Sequence, residues 1–470
     1  MIIDYGRVRM QGQTVVLVSS GLIKAKKESN PFNRMNRYLN YGLLGLATVL
    51  KSKGYQVKIF QGEYNSPQDL IHTITLSGID LNQLKYPILL SIPSYYSLPW
   101  ADKFCGLIKS EYAIKIVGGG RWVIGESDNW IKNKVKDVDL WIAGLADEVI
   151  EQALYPDQWG SIENMLNQVK CFEDLDYTLL HDFKDYHPSI EVSRGCGRGC
   201  SFCMEKDIPI TQLKEPIHLL NEIKLAIEMY QSEKINFYFE ASLFLPSLSW
   251  AREFQQLYRD EEMSIKWRCE SRVDALTPAI IHELAQAGLK VIDLGLESAS
   301  IRQLKAMNKT RKPELYLEKA RLLIEACHEE KVDVKINVLL YAGEDLDSIA
   351  ETKEWLQLNK KYIRGVSVNP VVVYGVQSDN DYFNSLGARV IDTSEELGYS
   401  YMHLSDQIDY ELSLQLGNDM SRSVMSQEDY FALKKFSYFP RSYQYTDFIK
   451  DIEKARPECL PFEITKRGDL

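Results

Sequence analysis

The sequence has no apolar run of about 18 residues and no excess of positive charge. The first absence argues against a transmembrane helix. No basic segment followed by an apolar one appears after Met1, so no secretion signal is expected. The 55 Lys and Arg residues are outnumbered by 66 Asp and Glu residues, and the formal net charge is −11. This balance disfavours a broad nucleic-acid surface. We expect a cytoplasmic protein that binds neither membranes nor nucleic acid.

Cysteine is scarce, and most of it is dispersed. Five of the eight cysteines lie far apart in the sequence and form neither a disulfide framework nor a second ligand cluster. These five are Cys105, Cys171, Cys269, Cys327 and Cys459. A reducing compartment fits this pattern. The sequence also lacks internal repeats, a phosphate-binding P-loop and a recognisable Ser/His/Asp triad.

The other three cysteines, Cys196, Cys200 and Cys203, fall within eight residues of each other, in a segment with glycines at 195, 197 and 199. Three thiolates can hold three irons of a [4Fe–4S] cluster, which leaves the fourth iron open to a ligand. A zinc knuckle is the structural alternative, but it lacks a fourth ligand. His181 and His187 precede the segment without the spacing of a zinc finger.

Residues 1–150 alternate short apolar runs with amphipathic segments, which predicts a doubly wound, Rossmann-like parallel sheet. The predicted strands are Val15–Ser19, Gln56–Phe60, Ile88–Ile92, Ile114–Val117 and Val138–Ala143, and a predicted helix at Tyr41–Lys53 ends at Gly54. Ligands of such sheets bind at the carboxyl ends of the strands. Gly118, Gly119 and Gly120 lie at one of these ends.

A second series of strands and helices occupies residues 189–394, after a linker at 151–188 that contains a short helix. The predicted strands are Ser189–Val192, Ile235–Phe239, Lys266–Cys269, Val291–Gly295, Val334–Leu340 and Val366–Val373. The predicted helices are Ile217–Gln231, Trp250–Asp260, Pro278–Ala287, Pro313–Glu330 and Asp347–Asn359. Six such units predict a partial (β/α)6 barrel that is open on one side. Its chemistry is expected at the carboxyl ends of the strands, where the cysteine segment lies.

The C-terminal region, 395–470, is rich in aromatic residues and shows no clear alternation of strands and helices. Two interpretations are open for it. It either caps the open side of the barrel and shapes a substrate pocket, or it is an extension that only packs on the surface.

The Cys-x3-Cys-x2-Cys segment at the end of a first barrel strand resembles the cluster loop of the radical S-adenosylmethionine (SAM) enzymes. Phe202 matches the aromatic residue that precedes the third cysteine in that family. Asp293–Ser298, followed by Leu304, Met307 and Lys309, resembles the family's fourth-strand segment. Leu340–Glu344 resembles its fifth-strand Pro-Gly-Glu turn, with Ala342 in place of the proline. Together these similarities cover roughly residues 188–375.

The resemblance implies cofactors, an electron donor and a type of reaction. Cys196, Cys200 and Cys203 would bind a [4Fe–4S] cluster whose open iron takes the amino and carboxylate groups of SAM. A reductant such as flavodoxin or ferredoxin would supply one electron for cleavage to a 5′-deoxyadenosyl radical. That radical abstracts hydrogen from an unactivated carbon of a small-molecule or peptide substrate.

The resemblance also implies residues that contact SAM. Glu240 would lie near the SAM ammonium, or it is a surface acid at a strand end. Arg272 would bind the SAM carboxylate, or it pairs with Glu270 on the same strand face. Glu297 and Ser298 suit the ribose or the methionine end of SAM. Asn337 lies in mid-strand and either contacts SAM or makes a structural hydrogen bond.

The N-terminal region resembles the cobalamin-binding-type domain that precedes many radical SAM barrels. The matching points are Val117–Gly120 and Ile142–Gly144, while the Asp-x-His-x-x-Gly motif is absent. By this resemblance, Gly118, Gly119, Gly120 and Trp122 would contact cobalamin. The bulky pair Arg121-Trp122 either shapes a cobalamin pocket or fills one that has been lost.

Several outcomes of the radical reaction are compatible with the sequence. Cobalamin-dependent C-methylation in natural-product or peptide maturation is favoured. The alternative is an epimerase, cyclase or rearrangement enzyme that uses the N-terminal domain as a scaffold, with Cys459 or Cys105 as a potential hydrogen-atom donor. A tRNA methylthiotransferase would need three further cysteines in the N-terminal domain, and only Cys105 and Cys171 precede the cluster segment. A binding or electron-transfer protein that kept its cluster is the non-enzymatic alternative.

Overall fold

The computed structural model describes residues 14–24, 30–120, 127–162, 171–374 and 380–464. It contains a five-stranded and a six-stranded parallel sheet, together with a small antiparallel sheet. The predicted α/β fold class is thereby confirmed. Among the described residues, no helix combines the length and the apolar character that crossing a bilayer requires.

The first sheet has the strand order β2-β1-β3-β4-β5. Its elements are β1 Thr14–Ser19, α1 Tyr41–Ser52, β2 Gln56–Gln61, α2 Pro67–Leu76, β3 Ile88–Ser91, α3 Leu98–Glu111, β4 Ile116–Gly119, α4 Ser127–Lys134 and β5 Leu140–Trp141. This order is the flavodoxin-like one, in which the direction of winding reverses between β1 and β3. The strand ends on either side of that reversal are the expected ligand crevice.

Both faces of this sheet are covered by helices, as its apolar strands require. Along β1, Val15 and Leu17 pack into one core and Val16 and Val18 pack into the other. Helix α1 begins after Asn40, whose side chain accepts a hydrogen bond from the backbone N–H of Leu43.

The second sheet has the order β11-β10-β9-β8-β7-β6, with all neighbouring strands parallel. Its strands are β6 Ser189–Glu191, β7 Asn236–Glu240, β8 Lys266–Arg272, β9 Leu289–Glu297, β10 Asp333–Leu340 and β11 Gly365–Pro370. The connecting helices are α5 Pro216–Tyr230, α6 Leu248–Asp260, α7 Pro278–Gln286, α8 Ile301–Ala306, α9 Pro313–Glu329 and α10 Leu346–Leu358. This is the predicted partial (β/α)6 barrel.

The two faces of the barrel strands differ in polarity. Trp267 and Cys269 of β8 are fully buried in the core that also contains residues of the surrounding helices, and so is Cys327 of α9. Glu270 and Lys335 retain exposed surface and belong to the opposite, inner face. This face therefore supplies the polar side chains of the barrel interior, and the predicted core positions of Cys269 and Cys327 are confirmed.

The region between the two sheets contains short 3₁₀ turns, such as Tyr177–Leu179, rather than the predicted α-helix in its described part. Residues 163–170 lie outside the described residues. The linker sequence is broken by Pro156 and by Asp182, whose φ is +55°. Because a proline lacks the N–H and a positive φ reverses the helical hand, neither favours a continuous helix.

The C-terminal region is more regular than the sequence predicted. It comprises β12 Val373–Tyr374, α11 Asn380–Ser385, β13 Arg389–Ile391, α12 Ser394–Leu397, β14 Tyr399–His403, α13 Tyr410–Arg422, α14 Gln427–Ser437 and α15 Tyr445–Ile452. Within 395–470 the strand β14 is followed by helices only, so the expected lack of strand–helix alternation is confirmed. The individual helices were not predicted from the sequence, because tyrosine is partly polar and blurs the apolar period of a helix. The predicted boundary at 394/395 falls inside the β12-β14-β13 sheet.

Helices α14 and α15 share a small aromatic core with a residue from the N-terminal region. The ring of Phe32 lies 4.6 Å from that of Phe448 and 6.1 Å from that of Phe462. The side chain of Asn30 donates a hydrogen bond to the hydroxyl of Tyr430. The segment after β1 thus anchors the C-terminal helices over the barrel.

Candidate functional site

The cysteine segment, 195–203, is a tightly curled loop after β6. Gly195, Gly197 and Gly199 have φ values of +73°, +62° and +72°, a region that side chains disfavour. A Cβ on Gly195 would lie 2.1 Å from the carbonyl oxygen of Pro209. The glycines therefore allow a backbone path that other residues would block.

Hydrogen bonds fix this loop to two neighbouring segments. The N–H of Cys196 donates to the carbonyl of Ile208 at 2.9 Å. On the other side, the N–H of Ser201 donates to the carbonyl of Met307 at 2.9 Å, and the Asn308 amide donates to the carbonyl of Gly199 at 2.7 Å. The loop is thus held against the segment that follows α8.

The cysteine sulfurs have donors suited to thiolates. The Arg272 guanidinium lies 3.4 Å from the sulfur of Cys200, and the Glu205 N–H lies 3.4 Å from that of Cys203. In the described chain, no three His, Cys, Asp or Glu side chains gather as they would around a single metal ion. In a [4Fe–4S] cluster each cysteine binds a different iron, so its ligands need not converge on one point. The three cysteines, with positive charge beside them, fit such a cluster.

Arg272 and Lys309 connect the cluster loop to the end of β9. Arg272 donates to the carbonyl of Lys309 at 2.8 Å and pairs with Asp274 at 2.9 Å, rather than with Glu270. The Lys309 ammonium in turn lies 2.8 Å from the carboxylate of Glu297, which has a φ of +67°. Burial lowers the pKa of Arg272, but the hydrogen bond to Asp274 and the charge of that carboxylate, with smaller contributions from Tyr316 and Cys200, together outweigh it, so the net shift is upward. These charges are thus fixed next to Cys200.

Glu240 lies at the end of β7, inside the barrel. The hydroxyl of Ser189 donates to its carboxyl group at 2.9 Å. Burial raises the pKa of Glu240 to about 8, and the charges of Glu270 and Glu191 act in the same direction. A cation beside this carboxyl group would stabilise its ionised form. The role of Glu240 near the ammonium group of SAM stays a prediction.

A row of charged side chains crosses the barrel interior where β8, β9 and β10 lie side by side. Arg268 forms a fully buried ion pair with Asp293, and the Lys335 ammonium lies 3.5 Å from the other oxygen of Asp293. Burial opposes ionisation of Asp293, but the two cations keep its pKa below the usual value. The hydroxyl of Tyr238 donates to the carboxyl of Glu270 at 2.5 Å.

Ser298 and Asn337 are placed differently from each other. Ser298 is buried, its hydroxyl lies 3.1 Å from that of Thr352 on α10, and it accepts the N–H of Ser300. It thus belongs to the helix side and does not join the site. Asn337 alternates with buried neighbours along β10 and shares the inner face with Lys335. Its side chain points into the barrel, as SAM contact would require.

A cavity of about 480 Å³ adjoins the cluster loop. Phe202 and Leu339 line it from the barrel, Asn30 and Tyr38 from the segment after β1, and Tyr410 from the C-terminal region. This volume lies in the range of small-molecule sites. The cavity therefore lies where the strand ends of both sheets and the C-terminal helices meet.

Packing accounts for two of the three glycines that were predicted to contact cobalamin. A Cβ on Gly118 would lie 2.8 Å from the Trp141 ring, and one on Gly120 would lie 2.5 Å from the carbonyl of Ile92, so packing explains both glycines. Gly119 has more room, with Ile142 at 3.5 Å. Trp122 lies outside the described residues.

Tyrosines cover the end of β3 in the same region. The ring of Tyr95 stacks on that of Tyr374 at 5.4 Å, and Tyr96 lies 4.1 Å from Tyr399. Between β1 and β3, the Asn40 amide donates to the hydroxyls of Ser19 and Ser91. Side chains of the protein itself therefore make contacts across the crevice at the ends of β1 and β3.

A half-barrel of parallel strands with three cysteines in its first loop defines the radical SAM class. Residues 190–356, roughly a third of the chain, match the radical SAM superfamily. The barrel therefore carries a radical SAM domain, and the cofactors expected for such a domain are a [4Fe–4S] cluster and SAM. No curated protein matches the sequence.

Two solved proteins share the wider fold. One is the radical SAM methyltransferase TsrM from Kitasatospora setae, with cobalamin and a [4Fe–4S] cluster bound (TM-score 0.57, 14% identity, 77% of this chain and 72% of that chain). The other is OxsB, a cobalamin-dependent SAM radical enzyme (TM-score 0.57, 18% identity, 80% of this chain and 55% of that chain). Both similarities extend into the first sheet, because the residues after 356 are too few to account for the coverage. At these identities they show a shared fold.

Sequence reasoning missed several residues of this site. Lys309 entered the resemblance without a role, yet it connects Arg272 with Glu297. Arg268 was not singled out, although strand alternation places it on the same face as Glu270 and Arg272. That alternation was the available signal for Arg268. Ser189, which donates to Glu240, had none.

Proposed function

We propose that this radical SAM enzyme abstracts hydrogen from an unactivated carbon of a small molecule or peptide held in the 480 Å³ cavity. The supporting observation is that Phe202, from the cluster loop, lines the cavity directly. When bound, the cluster and SAM would supply a carbon-centred radical at this loop. A substrate in the cavity would then lie next to the place where the radical forms.

The chain's own residues would bind and orient the reactants. Cys196, Cys200 and Cys203 would hold the cluster, and Arg272 would steady the sulfur of Cys200 and the nearby carboxylate of SAM. Glu240 would accept the SAM ammonium. The C-terminal helices would exclude water, which protects a reactive radical from side reactions.

For the outcome we propose C-methylation with cobalamin as the methyl donor, in natural-product or peptide maturation. It is supported by the fold shared with TsrM and OxsB, whose structures are described as cobalamin-bound. Cobalamin would have to bind at the ends of β1 and β4, which run into residues outside the described ranges.

A second candidate is a cobalamin-independent epimerase, cyclase or rearrangement enzyme. It is favoured by the tyrosine packing over β3 and by Trp141, which covers Gly118. In that case the first sheet would act as a scaffold.

Anaerobic reconstitution tests the proposal in two stages. With iron, sulfide, SAM and a low-potential reductant, the protein should form 5′-deoxyadenosine, whereas a Cys200→Ala variant should not. Absence of this product with the wild-type protein, across candidate substrates, would contradict radical initiation. Incubation with hydroxocobalamin followed by gel filtration should then leave corrin absorbance on the protein. If SAM is cleaved but no corrin is retained, the methylation proposal is contradicted and the second candidate is favoured.

A further inference from the structure

The charges around the cavity are unevenly distributed. Arg268, Lys335 and Lys434 line it, and its lining includes no Asp or Glu among the residues that the structure describes. The nearest carboxyl groups lie behind this lining and are engaged, since Asp293 forms the ion pair with Arg268 and Glu270 accepts the Tyr238 hydroxyl. The lining itself thus carries three cations and no carboxyl group, whereas the two carboxyl groups lie behind it.

One of these cations retains hydrogen-bonding capacity. Arg268 is fully buried and donates to Asp293, to the carbonyl of Leu433 and to the hydroxyl of Ser437 at 2.7 Å. Its Nε atom is buried without a hydrogen-bond partner. A buried guanidinium with an unpaired donor is costly, and an anion in the adjoining cavity would offset part of the cost of burying its positive charge.

The rest of the lining is aromatic. Tyr38, Tyr410 and Tyr438 contribute rings and hydroxyls, and the Lys434 ammonium lies 4.9 Å from the ring centre of Tyr438. Tyrosine rings bury flat or apolar groups while their hydroxyls satisfy polar ones. The lining is therefore suited to a ligand with a flat or apolar body and an anionic group.

We infer that the substrate of this enzyme is a small organic anion, in which a carboxylate or phosphate faces Lys335 and Lys434 and a flat or apolar body packs on the tyrosines. The inference rests on the proposed function, since it takes the cavity as the substrate site. It adds the chemical class of the substrate.

Calorimetric titration of the cluster-reconstituted protein tests this without requiring turnover. The probes are 3-phenylpropanoate, phenyl phosphate and the uncharged 3-phenylpropanamide. At least one anion should bind ten or more times tighter than the amide, and the preferred one distinguishes carboxylate from phosphate. Unreduced SAM at saturating concentration should leave this affinity unchanged.

Variants assign the effect to the cavity. Lys335→Gln and Lys434→Gln should each weaken binding of the anion at least fivefold and leave the amide unaffected. Lys319→Gln, the same change on the exposed surface of α9, should alter neither. Circular dichroism and the melting temperature verify that each variant is folded.

Distinct results overturn the inference and the proposed function. The anion site is overturned if the acids and the amide bind equally well, or if no probe binds. It is also overturned if neither lysine change weakens binding, or if SAM abolishes it. If 5′-deoxyadenosine still forms, the proposed function stands without it. If the anion binds as expected and no 5′-deoxyadenosine forms, the cavity remains an anion site and the proposed reaction fails.

Discussion

Glu240 is the residue whose ionisation responds most directly to the ligand we expect. With a pKa of about 8, its carboxyl group is mainly protonated at pH 7 in the free protein. The pKa in the unfolded chain is about 4.3. Between these values the folded state holds a proton that the unfolded state has lost, so this residue lowers stability as the pH rises from about 4.3 to 8. Above pH 8 the full cost of ionisation is present.

Binding of SAM should therefore release a proton. The amino group of SAM that binds the open iron donates N–H hydrogen bonds to the ionised carboxylate of Glu240 and so lowers its pKa. At pH 7, calorimetric titrations in buffers of different ionisation enthalpy should report nearly one more proton released per SAM bound by the wild-type protein than by a protein that lacks this carboxyl group.

The isosteric variant Glu240→Gln is the control for this linkage. It should bind SAM more weakly and with no proton release attributable to this site. Proton release of equal size in the variant would assign the effect to another residue and remove Glu240 from the ammonium site.

Some site residues could be predicted from their spacing in the sequence. The positions of others could not, because they are set by how the chain folds. Cys196, Cys200 and Cys203 lie within one loop, so their spacing alone indicated the cluster. The Lys309–Glu297 pair forms because a loop folds back over the end of β9. Ser298 was misplaced because a strand ends between it and Glu297, so its hydroxyl turns to Thr352 instead of the interior. Sequence alone does not show where such a turn begins.

At the scale of elements, the cluster loop depends on Gly195. Alanine there would combine an unfavourable positive φ with a contact of 2.1 Å to the Pro209 backbone. We expect Gly195→Ala to fold but to displace Cys196, so that iron bound after reconstitution falls well below four atoms per chain.

Gly54→Ala is a matched control for this change. Gly54 also has a positive φ, +92°, but a Cβ there would meet nothing within 4 Å. Its cost is backbone strain alone, about 1 kcal/mol. Full iron content in both variants would show that the close approach at Gly195 is not needed to hold the cluster.

The regular elements were largely predictable, and the C-terminal ones were not. In the parallel sheets, short apolar strands alternate with amphipathic helices, and the predicted helix Pro278–Ala287 differs from the observed one by a single residue. Helices α13 to α15 cover a barrel opening and pack through tyrosines that are only partly apolar. The spacing of their apolar residues depends on the surface on which they pack. That surface is built by distant parts of the chain and cannot be read from the local sequence.

At the scale of the whole molecule, Phe32 connects the N-terminal region to the C-terminal helices. Replacing a buried Phe with Ala costs about 3–5 kcal/mol. Since Phe32 is 1% exposed within the α14–α15 core, Phe32→Ala should loosen these helices selectively. We expect a lower melting temperature and earlier proteolytic cleavage within 373–464 than in the wild-type protein.

Leu358→Ala serves as the comparison, because Leu358 is 72% exposed. Shortening an apolar side chain to alanine on the surface should change the free energy of unfolding by less than about 0.5 kcal/mol. Equal effects of the two variants, or cleavage that starts in the barrel instead, would show that Phe32 does not hold the C-terminal helices in place.

The contact between Asn30 and Tyr430 also sets an order of events during synthesis, since 400 positions separate the two residues. A translating ribosome adds about 5–20 residues per second, and N-terminal units fold first. The last barrel strand ends at Pro370, whereas the aromatic core that includes Phe32 is completed only by Phe462. For roughly 5–20 s at that rate, the nascent barrel exists without its cover. During this interval the barrel and its cysteine loop must stay folded without the contacts that the C-terminal helices later supply.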